Sequence, residues 1–287
     1  GQLIDIIGIE NLTGRVKLFS EAGDVLVQAN MIATEIDINS GYFLVAEGKL
    51  IRIDRKGHEL DPDESGGGQA ISMLGPIPLP LTIAGRHIDV TWYACVRNTE
   101  LSKVQELADQ LRAQHTQSLF ANLSSSMAVN CVLIIGDPAA WTNPLIRVHS
   151  SCLTGDVFGS ERCECGPQLH HAIAAIADDE QGGMVVYMSG HEGRGIGLWA
   201  KAATYLLQDA GENTYQANRS LGLPDDSRDF TDAATLIRHF HDEKPFRLLT
   251  NNPKKIEDLA TLGLTDVAPV KHVIGVTAAN RRYLEAK

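Results

Sequence analysis

The sequence predicts an α/β (α+β) fold with a smaller β-rich portion ahead of it. From about residue 129 onward, short β-type apolar runs alternate with stretches of helical periodicity. The first sixty residues instead carry only β-type runs divided by turns. The length of 287 residues is enough to bury one large core or two ordinary ones. An apolar fraction of 44% and a charged fraction of 21% are those of a globular chain.

Taken in order, Val16 to Phe19, Asp24 to Val27 and Tyr42 to Val45 read as strands, with Glu21-Ala22-Gly23 as a turn. The acidic, glycine-rich stretch 58–68, followed by Pro76, Pro78 and Pro80, reads as a linker. It divides the chain into a β-rich N-terminal domain with its linker, 1–75, and a larger domain, 76–287. In the latter a strand at about 87–96 leads to a helix from Glu100 to about Gln114, with Leu101, Val104, Leu107 and Leu111 at helical spacing. Strands follow at 129–135, 145–149, 184–188 and 246–250, interleaved with helices at 169–177, 196–209 and 255–262.

The net charge of −11, from 36 acidic and 25 basic residues, repels a nucleic-acid backbone and offers it no basic stripe. A small anionic substrate remains compatible, because a local group of Arg and Lys opposes the global sign. No apolar run reaches the roughly 18 residues of a membrane span, and the first thirty residues lack a signal-peptide pattern. A cytoplasmic protein without nucleic-acid or membrane partners is expected. Five cysteines, an odd number, argue against a disulfide framework; Cys95 and Cys131 sit in strand-like runs and read as buried, inert thiols.

Cys152, Cys163 and Cys165 fall within fourteen residues. Thiols at i and i+2 reach one ion where the backbone turns, and a third arrives from eleven residues upstream. Three protein ligands leave a fourth tetrahedral position for water, as in a hydrolytic zinc site. The same spacing also fits a structural site completed by His170 or His171, or a chance cluster. Tyr187 to Gly197 reads as a strand ending in a glycine-rich turn that opens a helix, suited to a phosphate or simply to a turn. It does not fit G-x-G-x-x-G, since residue 198 is Leu. Leu223 to Phe230 has turn chemistry with three acids and an Arg, and Leu249 to Ile256 places Thr250 and Lys255 near a helix N-terminus.

In register, several segments resemble the GTP cyclohydrolase II family: Arg147-Val-His-Ser, Cys152-Leu-Thr-Gly-Asp, Arg162-Cys-Glu-Cys-Gly, Glu192-Gly-Arg-Gly-Ile-Gly-Leu, Tyr205-Leu-Leu-Gln-Asp, Asp226-Ser-Arg-Asp-Phe and Leu248-Leu-Thr-Asn-Asn-Pro-Lys-Lys. The resemblance runs from about residue 145 to 275. It implies a mixed-sheet catalytic domain that opens the imidazole ring of GTP, releasing formate and pyrophosphate for riboflavin synthesis. It implies Zn²⁺ on Cys152, Cys163 and Cys165, Mg²⁺ with the triphosphate, and a homodimer. Tyr205, Asp226 and Arg228 are the implied catalytic residues, with Arg228 attacking the α-phosphorus and Asp226 taking the proton. Implied nucleotide contacts are Arg147, Val148, His149, Ser150, Gln168, Glu192, Gly193, Arg194, Thr214, Thr250 and Lys255. Two positions depart from the family pattern: His191 stands where Gln is usual, and Ser151 where an acid is common. These departures, with the N-terminal portion, also resemble a branch linked to uracil catabolism, whose substrate would be a uracil nucleotide such as UMP or UTP. A zinc-stabilised nucleotide-binding protein without turnover is the reading outside the enzyme class.

Overall fold

The computed structural model describes residues 15–19, 25–30, 49–61, 64, 66–100 and 128–277. Two strands, β1 (Arg15–Phe19) and β2 (Val25–Asn30), form an antiparallel pair. The expected strand at 42–45 and the helical stretch 101–114 lie outside the described residues.

Among the described residues, the main body is an eight-stranded mixed sheet. Its strands are β3 (Leu50–Ile53), β4 (Ile71–Ile83), β5 (Arg86–Arg97), β6 (Asn130–Ile135), β7 (Leu145–Ser150), β8 (Gly183–Met188), β9 (Phe246–Leu249) and β10 (Val267–Val270), in the spatial order β10-β9-β7-β8-β6-β5-β4-β3. The half from β10 to β8 is parallel, and from β8 outward every pairing is antiparallel. Parallel strands need crossover connections, so the helices gather over this half and cover both faces. On one face, helices α5 (Thr231–His241) and α6 (Pro253–Thr261) bury Leu236, Ile237 and Leu259 against Ile146, Val148, Met184 and Val186. On the other, α2 (Cys165–Asp178) buries Ala172, Ile173 and Ile176 against Leu145 and Val185. Met184 and Val186 face one core and Val185 the other, as the two-residue period of a strand requires.

The strands and helices expected from residue 129 onward are all present, within a few residues of their anticipated ends. The division near residue 75 is not where the sheet divides. Residue 75 lies inside β4, and β4 pairs with β3 on one side and β5 on the other. Ile53, Ile71 and Met73 are buried in the same core as Val148 and Leu236. The prolines that suggested a linker occupy alternate positions of β4, where Pro76, Pro78 and Pro80 are exposed while Ile77, Leu79, Leu81 and Ile83 are half-buried. Among the described residues, β3 pairs with residues 71–74 of β4, and the Gly75 N–H donates to the Lys49 carbonyl at 2.9 Å. Prolines two residues apart lack N–H groups on the same side of a strand, so they remove donors from one side only and leave the pairing of residues 77–83 with β5 in place.

The topology sets the site. Parallel strands β7, β8 and β9 end on the same side, and chains leaving them carry Ser150 to Cys152, Ser189 to Gly197 and Thr250 to Lys255. Clefts beyond the carboxyl ends of parallel strands are the usual ligand sites of open α/β sheets.

Since Met73 belongs to the shared core, Met73→Ala should lower stability by about 2–5 kcal/mol within one cooperative unfolding transition. Urea denaturation followed by both fluorescence and circular dichroism checks this. A separate early transition, with the main one unmoved, would show that β3 and β4 fold on their own.

Candidate active site

A cleft of about 820 Å³ opens at that end of the sheet. Cys152 ends the connection from β7 and starts the short helix α1 (Leu153–Asp156), while Cys165 is the first residue of α2. Their sulfurs and that of Cys163 all lie within 4.8 Å of one another, with Cys152 Sγ and Cys163 Sγ 3.6 Å apart. Zinc–sulfur bonds of about 2.3 Å at tetrahedral angles would hold sulfurs about 3.8 Å apart, so the spacing suits one such ion. The cradle is made by Gly155: a Cβ there would meet Cys163 Sγ at 2.7 Å and Cys152 Sγ at 3.2 Å. Hydrogen bonds from the Cys163 and Cys165 thiols, with Lys201, hold Cys152 far below the ordinary thiol range, and hydrogen bonding to Cys152 pushes the other two up. Three thiolates at this spacing require a cation among them. The donor set therefore fits zinc, and neither His170 nor His171 joins it.

Asp156 ties this corner to the sheet. Its carboxylate accepts from the Cys152 N–H at 3.0 Å, the Tyr187 hydroxyl at 2.9 Å and His149 Nε2 at 3.1 Å. His149 stacks on Tyr187, 5.5 Å between ring centres. Burial lowers the His149 pKa despite Asp156.

On helix α3 (Leu198–Asp209), Lys201 and Tyr205 are one helical turn apart and share the cleft face. Lys201 Nζ donates to Cys152 Sγ at 3.1 Å, Thr154 Oγ1 at 3.0 Å and Glu192 Oε1 at 2.7 Å. Burial opposes its charge, but Glu192 and Cys152 outweigh burial and hold the ammonium above the ordinary lysine range. The Tyr205 hydroxyl lies 3.4 Å from Thr154 Oγ1, its ring is covered by the Arg162 guanidinium at 4.2 Å, and burial raises its pKa.

Glu192 also accepts from the Leu153 N–H at 2.7 Å, joining the turn after β8 to the cysteine corner. Gly193 and Arg194 both adopt left-handed backbone, with φ of 60° and 62°. The next residue, Gly195 (φ 87°), allows a close approach, since a Cβ would meet Ser227 Oγ at 2.8 Å. The Ser227 N–H donates to the Arg194 carbonyl at 3.0 Å, so the loop 226–228 docks directly on this turn. There Arg228 grips Asp226 through Nη2 (2.5 Å) and Nε (2.9 Å). Burial would raise the Asp226 pKa, but Arg228 outweighs it and holds the carboxyl below its usual range.

Beneath the cleft, Arg147 is buried and donates to the Leu249 carbonyl at 2.8 Å and Gln168 Oε1 at 2.9 Å. Burial pushes its pKa down to about 10. Lys255 Nζ donates to the Val148 carbonyl at 2.7 Å, and Thr250 is buried beside it on the loop that starts α6.

Of the residues singled out from sequence, the three cysteines, Tyr205, Asp226, Arg228, Arg147, His149, Ser150, Gln168, Glu192, Gly193, Arg194, Thr250 and Lys255 all line this one cleft. Val148 does not. It points into the opposite core with no exposure, and only its backbone carbonyl serves the site. Thr214 is the first residue of α4 (Thr214–Ser220), where Asn213 caps the helix, and its side chain lies outside the description. Lys201 and Asp156 were not picked out from sequence, although the Lys201/Tyr205 spacing of four on one helix is a legible signal.

The family profile described as GTP cyclohydrolase II matches residues 105–271. A protein of Vibrio parahaemolyticus named GTP cyclohydrolase-2 is 49% identical over 144 residues, covering 50% of this chain and 71% of its own length. The riboflavin biosynthesis protein RibBA of Nocardia farcinica is 49% identical over 155 residues, covering 54% of this chain and 37% of its own. The chloroplastic monofunctional riboflavin biosynthesis protein RIBA 3 of Arabidopsis thaliana is 48% identical over 158 residues, covering 55% and 31%. The chain thus spans about a third of the length of the two riboflavin proteins.

Adding a methyl group at the sulfur cradle, Gly155→Ala, should weaken zinc binding by about tenfold or more while leaving the fold intact. Metal analysis of the purified variant and competition with a chromogenic chelator measure it; wild-type affinity would remove Gly155 from this role.

Proposed function

The chain belongs to the GTP cyclohydrolase II family, and on that premise we propose that it is a zinc-dependent hydrolase that opens the imidazole ring of GTP. Formate and pyrophosphate are the co-products, and the reaction opens riboflavin synthesis. One observation carries the reading: the three-sulfur cluster and the Asp226–Arg228 pair line the same cleft, whose volume suits a nucleotide. Hydrolytic and phosphoryl chemistry can therefore act on one bound molecule.

Zinc on Cys152, Cys163 and Cys165 would supply a nucleophilic water at neutral pH. Around it, Lys201 offsets part of the charge of the sulfurs and holds Glu192 in place. Glu192 faces the cleft from the turn after β8, where it can accept from ring N–H groups of a base. Tyr205 presents its hydroxyl beside Thr154, close to the sulfur cluster, as a hydrogen-bond donor to the opening ring. At the phosphate end, a guanidinium is a poor nucleophile until it sheds a proton. Asp226 stays ionised and touches both Nε and Nη2, so it is placed to take that proton. A guanidinium nitrogen of Arg228 bonds to the α-phosphorus, the bond from that phosphorus to the bridging oxygen breaks, and pyrophosphate leaves. Arg147 and Lys255 add positive charge where the triphosphate, with its Mg²⁺, would lie. A homodimer in the cytoplasm belongs to the same proposal, and among the described residues no helix is long and apolar enough to cross a membrane.

A second reading, ring opening of UMP or UTP, rests on His191 and Ser151. The Ser151 hydroxyl donates to the Ser189 carbonyl at 2.8 Å, so this position holds a hydroxyl turned to the backbone where the family commonly has an acid.

Incubation of zinc-replete protein with GTP, UTP and UMP separates the readings. Formate and pyrophosphate from GTP are expected. Turnover of uracil nucleotides alone would transfer the assignment to them, and binding without turnover of any would leave a nucleotide-binding protein. Cys163→Ser should abolish formate release together with zinc binding. Arg228→Ala should stop pyrophosphate release, and an unchanged rate would take Arg228 out of the phosphoryl step.

A further inference from the structure

Arg228 presents one edge of its guanidinium to Asp226, and its remaining nitrogen, Nη1, donates to Ser150 Oγ at 3.3 Å. That contact is the start of a chain. Ser150 Oγ lies 3.2 Å from His191 Nδ1, and His191 Nε2 lies 2.9 Å from the Asp229 carbonyl. The chemistry of the groups sets the direction of every bond. A carbonyl only accepts, so His191 carries its proton on Nε2, and Nδ1 is left as an acceptor. Arginine only donates, so Ser150 receives from Arg228 and passes its own hydrogen to His191.

The imidazole is also packed in place. It is buried, and meets the Phe230 ring edge-to-face at 5.0 Å. The Arg228 guanidinium lies over the same ring at 5.6 Å. Burial, with Arg228 and Lys255 nearby, pushes the His191 pKa down to about 4, so the neutral form persists.

Both supports of His191 are held by one further network. Asn130 Oδ1 accepts from the Ser189 N–H at 3.1 Å, fixing the turn that carries His191. Asn130 Nδ2 donates to Asp232 Oδ2 at 3.1 Å. Arg97 then bridges Asp232 Oδ1 (2.6 Å) and Asp229 Oδ2 (2.9 Å), and the carbonyl of Asp229 is the one that receives His191. Arg97 ends β5, ahead of the segment 105–271 that matches the family.

We propose that His191, held by the Arg97–Asp232–Asn130 network, is a positioning residue that fixes the Arg228 guanidinium through Ser150. The antiparallel strand β5 thereby serves the phosphoryl end of the cleft. The role of Arg228 in turnover rests on the proposed function; the orientation of its guanidinium does not.

The test compares His191→Gln, which retains an acceptor and a donor, with His191→Leu, which retains neither, and adds Ser150→Ala in case the Leu variant folds poorly. Exchange of the Arg228 Nε–H, assigned in nitrogen-15 spectra by its loss in Arg228→Lys, reads the orientation without any substrate. It should quicken by about tenfold in His191→Leu and Ser150→Ala and stay near wild type in His191→Gln. For the nucleotide that wild type turns over, kcat should fall about tenfold or more in the Leu and Ala variants with KM within about threefold, and recover in Gln. Unchanged Arg228 exchange in both the Leu and Ala variants overturns the proposal. Absence of turnover by wild type overturns the enzyme reading instead, and the exchange measurement then decides this one alone.

Discussion

Crowding three thiols within 4.8 Å of one another, largely out of water, is the constraint on which the rest of the site depends. Three thiolates there repel one another, and burial penalises each. The surroundings answer this on every side. Gly155 leaves room for the sulfurs, the first turn of α2 carries Cys165, and Lys201 brings a buried ammonium to 3.1 Å from Cys152. The ammonium is itself held by Glu192, and Glu192 by the backbone of Leu153. The crowding of three sulfurs at one corner is thus transmitted to the turn after β8 and to helix α3. This is the outer support that orients ligands in metal sites generally.

How far this was legible in sequence depended on the range of the interaction. Cys152, Cys163 and Cys165 are close along the chain, and Asp226 and Arg228 are two residues apart, so each group reads as a unit. The alternation of strands and helices after residue 129 is likewise a local pattern. Lys201 was not legible in this way, because its meaning comes from Cys152, forty-nine residues away on another element. Asp156 was hidden for the same reason, joining β7, β8 and α1 through one carboxylate. Val148 was carried along by its neighbours in a four-residue motif. Along a strand, however, Arg147 and His149 face one side and Val148 the other, and the latter side is core.

The proline-rich stretch shows a different limit. Pro76, Pro78 and Pro80 read as a break because proline cannot donate to a ladder. The competing signal was the alternation of Ile77, Leu79, Leu81 and Ile83 between them, a half-buried strand. Both signals hold at once when the prolines all present the same side of the strand, so that pairing with β5 on the other side is kept. Through β5 this antiparallel half then reaches the site by way of Arg97.

A chain of net charge −11 would repel an anionic nucleotide if its field were uniform. Within the cleft, two of the acids are matched: Lys201 lies 2.7 Å from Glu192, and Arg228 lies 2.5 Å from Asp226. Arg147 bonds instead to neutral groups, the Leu249 carbonyl and the Gln168 amide, and even lowered to about 10 its pKa leaves it charged at neutral pH. A buried cation whose hydrogen bonds go to neutral dipoles keeps its long-range field, and low-dielectric walls concentrate that field in the cleft. The surface charge therefore turns away polyanions that must lie along it, while a small anion that enters the cleft meets the opposite sign.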